Sequence, residues 1–412
     1  MGERRSVFSV RNMKKKIIRA CTVSMSVGFV KGMLPDLTKK YEVVLLSSPG
    51  PEMEDAKERF GVRTIEVAME RHISLVKDLV ALFKLIRIFK REKPDMVHSM
   101  TPKAGLLCMV AAWMTRVPVR IHTFTGLVWP TAKGLQRWIL KMTDRITCFC
   151  ATHVIPEGQG VLNDLKAGGI TNKEMKVLGY GNVKGIDMTR FSHRPEIMEK
   201  AKAIRKDDVF TFLFVGRIVK DKGINELVEA YIRLRDKYRN VRLILVGSFE
   251  ESLDPISPTA KELIEKTPDI IVAGEQSGDN LIAYYAAADC FVFPSYREGF
   301  PNTVIEAGAM ELPCIVTDIN GSREIITGVP HQLSSVDGDN EVMNAPVLVS
   351  VKQNGIIIPS KDVEALYEAM KRMVTDKEMR EEMVKNARPM IESRFEQGFV
   401  RQCLYEFYEE IV

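Results

Sequence analysis

Long apolar runs are missing from this chain of 412 residues. No uncharged stretch approaches the roughly 18 residues that a membrane-crossing helix needs, so no transmembrane span is expected. Met1 to Lys16 is basic, but no apolar core or cleavage site follows, so no secretory leader is expected. Met13, followed by Lys14, Lys15 and Lys16, offers an alternative start. The seven cysteines contain no C-x-x-C pair, and several sit in apolar runs. Buried, reduced thiols of a cytoplasmic protein are the expectation. No stacking-aromatic motif of a known RNA module occurs, so no specific nucleic-acid partner is expected.

What is present is a soluble globular composition, 45% hydrophobic and 27% charged, in a chain long enough for two domains. The net charge of +5 hides a division. Residues 1–190 hold 32 Lys and Arg against 17 Asp and Glu, a balance of +15; the remainder holds 27 against 37, or −10. A basic first half points to an anionic partner: membrane phospholipid, nucleic acid or a phosphorylated acceptor.

Strand and helix patterns alternate through both halves. Ile17–Val23, Glu42–Ser47, Asp95–Ser99, Val117–Thr123, His153–Pro156 and Met175–Leu178 read as strands. Helical patterns run over Phe29–Lys40, Ile73–Arg91 and Lys103–Met114. The pattern lapses between Gly179 and Asp208, which reads as a linker. A second series follows: Val209–Val215, Val241–Val246, Ile270–Val272, Phe291–Pro294, Cys314–Thr317 and Ile356–Ile358. Residues 328–353 are polar and irregular, an excursion from the sheet. This β-α order predicts an α/β fold of two Rossmann-like domains with mainly parallel sheets, spanning 1–190 and 191–392, and a closing segment 393–412.

Two stretches carry chemistry. In F-V-G-R-I-V-K-D-K-G a strand ends at Val215, Gly216 permits a close turn, and Arg217 and Lys222 precede a helix starting near Gly223. Loop amides, a helix N-terminus and two cations suit a diphosphate and the charge that grows on it as it leaves. In F-V-F-P-S-Y-R-E-G-F-P-N-T-V-I-E-A the carboxylates Glu298 and Glu306 lie eight positions apart, Glu298 in a loop and Glu306 in the first turn of a helix. Both would sit at the carboxyl edge of a parallel sheet, where open α/β folds bind ligands. Glu298 can accept hydrogen bonds from sugar hydroxyls and steady positive charge at an anomeric carbon. Thr303 and Glu306 also fit a capping box, which would make Glu306 a helix cap as well.

These motifs, with the following P-C-I-V-T-D strand, resemble the retaining glycosyltransferases of family 4, of GT-B fold. The resemblance spans nearly the whole chain. It implies that Arg217 and Lys222 bind the donor diphosphate, that Glu298 lies at the donor sugar and that Glu306 lies at the nucleotide ribose. Gly216, Pro301, Asn302 and Thr303 belong to the same donor-binding stretches. The resemblance also implies that the last helix crosses back to the first domain and that no metal or other cofactor is bound; the donor, a UDP-linked sugar, is a co-substrate. The first half, in T-V-S-M-S-V-G-F-V-K-G, V-H-S-M-T-P-K-A-G and V-R-I-H-T-F-T-G, is similar to a narrower bacterial group acting on lipid-linked acceptors. Gly28 would let the backbone approach the donor phosphates or the reacting centre, though taken alone it is an ordinary glycine. Lys103 is placed for an acceptor phosphate, or for solvent at a helix start. Thr125 stands where many members carry histidine, and Met100 where another is common. His98 and His122 lie close by, either facing the acceptor or buried and hydrogen-bonded. No general base is assigned, and a retaining transfer in which the leaving phosphate takes the acceptor proton is the simplest scheme.

The resulting expectation is a transferase that moves a sugar to a polyprenyl-diphosphate-linked saccharide, cytoplasmic and peripheral at the inner face of the membrane. The basic amphipathic segment 73–91, with Trp129, Trp138 and Phe149, suits docking on anionic lipid. The alternatives are a UDP-sugar 2-epimerase-type enzyme, which needs no acceptor, and a non-catalytic sugar-nucleotide binder.

Overall fold

The computed structural model describes residues 14–70, 74–251, 254–327 and 350–412. Six strands form a first sheet: β1 (Lys16–Ala20), β2 (Glu42–Ser47), β3 (Arg63–Glu66), β4 (Met96–Ser99), β5 (Val119–Phe124) and β6 (His153–Pro156). Seven form a second: β7 (Phe210–Val215), β8 (Val241–Val246), β9 (Ile270–Gly274), β10 (Cys290–Phe293), β11 (Cys314–Thr317), β12 (Ser350–Lys352) and β13 (Gly355–Ile358). The first sheet has the order β3-β2-β1-β4-β5-β6 and the second β12-β13-β11-β10-β7-β8-β9. Every pair is parallel except β12 with β13. Strands buried on both faces read as near-continuous apolar runs, and V-R-L-I-L-V of β8 is buried throughout.

The sheet period of two divides the first core. Ile18, Ala20, Val44 and Leu46 pack beneath the helices Leu75–Glu92, Pro102–Met114 and Gly134–Cys150. Ile17, Val43 and Leu45 face the opposite way, against Leu37, Met53 and the closing helix Gln397–Ile411. That helix buries Leu404, Phe407 and Tyr408 in the first core although it follows the second sheet in sequence. Ile186, Met188 and Phe191 pack into the second core.

Strand order reverses between β1 and β4 in the first sheet and between β7 and β10 in the second. Such switch points open a crevice beyond the carboxyl ends of the strands. The loops after β7 and β10 are therefore neighbours, and loops from the first sheet meet them across the cleft.

Several expected elements differ. The helix over Phe29–Lys40 is two pieces, Gly28–Lys31 and Leu34–Lys40. Pro35 has no amide to continue the ladder, and the Arg401 guanidinium occupies the space beside Gly32. Met175–Leu178 forms one bridge to Val154 rather than a strand, because the chain turns away at Gly179. The half-exposed edge strand β3 was not anticipated, nor was the helix Gly134–Cys150, whose exposed apolar residues blur its pattern. Ile73 lies outside the described residues, as does the expected excursion up to residue 349; Ser350–Lys352 is an edge strand. All seven cysteines are unpaired, and six are buried.

Candidate active site

The loop after β7 is built to lie against the loop after β10. A short turn, Lys220–Lys222, ends at Gly223 with φ +71, and the helix starts at Ile224. A Cβ on Gly223 would lie 2.1 Å from the Pro294 carbonyl oxygen, so no larger residue fits there. The Tyr296 amide donates to the Asp221 carbonyl at 2.8 Å, and Arg297 pairs with Asp221 at 3.1 Å. This contact delivers Lys222 to Glu298, and the two form an ion pair with both side chains mostly buried. The Ser295 hydroxyl donates to the same Glu298 oxygen at 2.8 Å, and the ammonium lies 5.5 Å over the Phe293 ring. Arg217, just after Gly216, pairs with Glu250 and stays half-exposed. Two cations thus stand at one strand edge, each paired with a carboxylate.

The first sheet supplies the opposite wall. Gly299 touches the loop after β5, where its Cβ would lie 2.2 Å from the Thr125 carbonyl oxygen. Gly126, with φ +129, packs on the same glycine. The Thr125–Gly126 backbone and Gly299, the residue after Glu298, therefore meet across the cleft. Farther along, the Glu324 carboxylate accepts the amides of Gln159 and Gly160 at 2.7 and 2.9 Å, capping a first-sheet helix from the second unit. The Asn182 amide donates to Asn302 at 3.0 Å.

Glu306 is not a cap. The helix Asn302–Ala309 begins after Pro301, which has no side-chain oxygen to offer, so Thr303 falls inside the first turn and Glu306 in the second. The Glu306 carboxylate accepts the Tyr285 hydroxyl at 3.0 Å. Burial raises its pKa, while Lys184, Tyr285 and Arg190 oppose the rise. Gly28, Lys184, Arg190, Asn302 and Glu306 line one cavity of about 150 Å³. Gly28 and Glu306, far apart in sequence, are brought to the same space.

His98 and His122 are each 1% exposed. The His98 ring contacts the Tyr408 hydroxyl at 2.5 Å and the Thr123 hydroxyl at 2.7 Å. His122 meets the Ser99 hydroxyl at 2.9 Å and covers Gly105. Burial holds His98 well below the usual range and takes His122 to about 3, so both rings are neutral. Lys103 pairs with Asp78 at 2.8 Å.

Glu157 was missed. It follows β6 at the carboxyl edge of the first sheet, is 4% exposed, and its carboxyl is pushed up to about 8 by burial and by the charges of Glu298 and Glu324. A carboxylate just past a strand run and before Gly158 was the available signal. The folded chain holds this proton more tightly than the unfolded chain does. Its contribution to stability is complete below about pH 4.5 and is lost as pH rises toward about 8. Glu157→Gln should therefore flatten the fall in melting temperature between about pH 6 and about pH 8.5. An unchanged slope would place Glu157 ionised in the fold.

Two facing Rossmann-like units thus carry a cation-bearing loop and a paired glutamate at one switch point. The fold is GT-B: Anabaena HepE, solved in complex with UDP, superposes with a TM-score of 0.73 at 16% identity, covering 96% of this chain and 100% of that one. Residues 209–376 match the family described as glycosyl transferases group 1, and residues 37–181 the glycosyl transferase 4-like domain. The capsular polysaccharide biosynthesis glycosyltransferase CapM of Staphylococcus aureus is 31% identical over 396 residues, covering 96% of this chain and 97% of CapM. An Escherichia coli UDP-Gal:alpha-D-GlcNAc-diphosphoundecaprenol alpha-1,3-galactosyltransferase is 28% identical, covering 79% of this chain and 78% of that protein. The chain belongs to the group 1 glycosyltransferases.

Proposed function

We propose that this glycosyltransferase is a retaining enzyme of family 4 type. It moves a sugar from a UDP-linked donor to a hydroxyl of a polyprenyl-diphosphate-linked saccharide, at the inner face of the membrane, in bacterial polysaccharide assembly. The observation that carries the reading is the Lys222–Glu298 pair, held in the loop whose Gly299 packs on Thr125 across the cleft. A relative named for a UDP-sugar and a diphosphoundecaprenol acceptor supports the choice of substrates.

In this reading the bond from the anomeric carbon to the diphosphate oxygen breaks with its electron pair going to the diphosphate. Arg217 and Lys222 stabilise the charge that accumulates there. Glu298, held by Ser295, orients the sugar and offsets positive charge at the anomeric carbon. The acceptor oxygen bonds that carbon on the same face, and its proton passes to the departing diphosphate. The neutral, enclosed histidines take no part as bases.

Glu306 contacts the ribose in this scheme, from the cavity it shares with Gly28. Glu306→Gln should weaken UDP binding by roughly tenfold, the usual worth of a hydrogen bond to a charged group. Calorimetry showing unchanged affinity would remove that contact.

The deciding experiment follows UDP release from a panel of nucleotide sugars, with and without a polyprenyl-diphosphate-saccharide extract. Release stimulated by the extract supports the transfer. Conversion of a UDP-sugar to its epimer without acceptor would replace it with the epimerase reading.

A further inference from the structure

The helices Leu75–Glu92, Pro102–Met114 and Gly134–Cys150 form one layer on the first sheet, with the middle helix packed against both others. Their inward faces are accounted for: Ala81, Leu85, Phe89 and Cys148 are buried in the core beneath. Their outward faces are not. On the first helix Leu75, Val76, Leu79, Val80 and Phe83 recur at helical spacing on one side, and all are at least half exposed, Leu75 to 77%. The same side continues with exposed Arg87, Lys90 and Arg91. On the third helix Leu135, Trp138, Ile146 and Phe149 make a second stripe, with Trp138 at 57% and Phe149 at 68% exposure. Trp113 of the middle helix reaches the Phe149 ring, 6.0 Å between centroids, and joins that helix to the stripe.

The charges on this layer decide what covers it. The three helices carry nine Lys and Arg against three carboxylates, Asp78, Glu92 and Asp144. Asp78 pairs with Lys103, and Glu92 is buried with Lys16 and Arg63. Asp144 lies half a turn away from the Leu135–Phe149 stripe. A second copy docked through the same face would set cations against cations. A nucleic acid would leave the apolar stripes uncovered. An anionic bilayer satisfies both features, with apolar and indole side chains below the headgroups and cations at phosphate level.

We propose that this three-helix face is the surface on which the protein lies flat on a bilayer rich in anionic phospholipid. The proposal names the surface for the membrane location given above and rests on that reading for its partner. In a βα unit each helix starts at the carboxyl edge of the preceding strand, so Leu75–Phe83 and Leu135–Trp138 lie toward the cleft. The mouth beside Thr125 and Gly126 is thereby held at headgroup height, where the diphosphate of a lipid-linked acceptor resides.

The test uses the whole chain and vesicles of phosphatidylcholine alone or with about one-third phosphatidylglycerol. The chain should cosediment with the anionic vesicles, weakly with neutral ones, and less at high salt. The double substitution Phe83→Glu, Trp138→Glu should cut anionic-vesicle binding at least ~30-fold, because each change removes an inserted group and adds a repelled charge. Its circular dichroism and its turnover on a detergent-dispersed acceptor should stay at the original level. Binding that survives the substitutions, or a chain that ignores anionic vesicles while turning over in detergent, overturns the docking surface and leaves the transfer reading intact. Vesicle binding without lipid-stimulated UDP release would instead sink the transfer reading and leave the surface.

Discussion

Lys222→Ala is expected to lower sugar transfer by at least ~100-fold while the chain stays folded, the usual cost of removing a group that stabilises a developing oxyanion. The physical basis is where the ammonium stands. It is enclosed between Glu298 and the Phe293 ring, and the turn that carries it is fixed by Gly223 pressing on Pro294. In a partly dehydrated site a fixed charge acts more strongly than in water and needs no rearrangement as the bond breaks. The diphosphate gains charge during departure, so kcat should fall more than donor affinity. Glu298 would keep its Ser295 hydrogen bond and remain oriented. Folding is checked by the melting temperature, transfer by UDP release with acceptor. Near-normal turnover in a folded variant would take Lys222 out of the mechanism.

Gly299→Val should be nearly as damaging for a different reason. A Cβ at this position overlaps the Thr125 carbonyl oxygen at 2.2 Å, and the obstacle is backbone that no rotamer change can clear. The loops after β5 and β10 must part by about 1 Å, a displacement that typically costs on the order of 100-fold in rate. The diphosphate and nucleotide contacts proposed for the second unit would survive, so UDP affinity should change little while kcat collapses. Gly299 lies outside the left-handed region, so the penalty is steric rather than conformational. Wild-type kcat in the folded variant would show that this contact is not part of the reacting arrangement.

The parts that sequence reasoning recovered are those whose physics is local. The runs F-T-F-L-F-V and V-R-L-I-L-V are apolar enough to be strands buried on both faces, which already implies parallel pairing and helical cover. Gly216, Arg217, Lys222 and Glu298 fall at strand ends, and a strand end is visible in the pattern itself. One error was a helix start misplaced by two residues, and another came where a distant segment intervened. Thr303 looked like a cap because the box spacing is right, yet the chain enters that helix from Pro301. The helix over Phe29–Lys40 looked continuous because Arg401 beside Gly32 lies hundreds of residues away.

His98 shows the division most sharply. Alternation along β4 puts its ring on one face of the sheet, and that much is local. That the ring is enclosed depends on Tyr408, which arrives on the closing helix to meet the ring nitrogen. Glu157 is likewise an ordinary strand-end carboxylate until burial in the folded chain, and then Glu298 and Glu324 approaching from the second unit, raise its pKa. By itself the sequence determined two mainly parallel sheets, a cation pair after a strand end and a basic first half, because periodicity, strand termination and charge are properties of neighbouring residues. The tertiary structure alone decided which histidines are enclosed, which loops touch across the cleft and which apolar residues are left facing outward. Those outcomes depend on contacts between residues remote in sequence, and burial is a property of the packed whole.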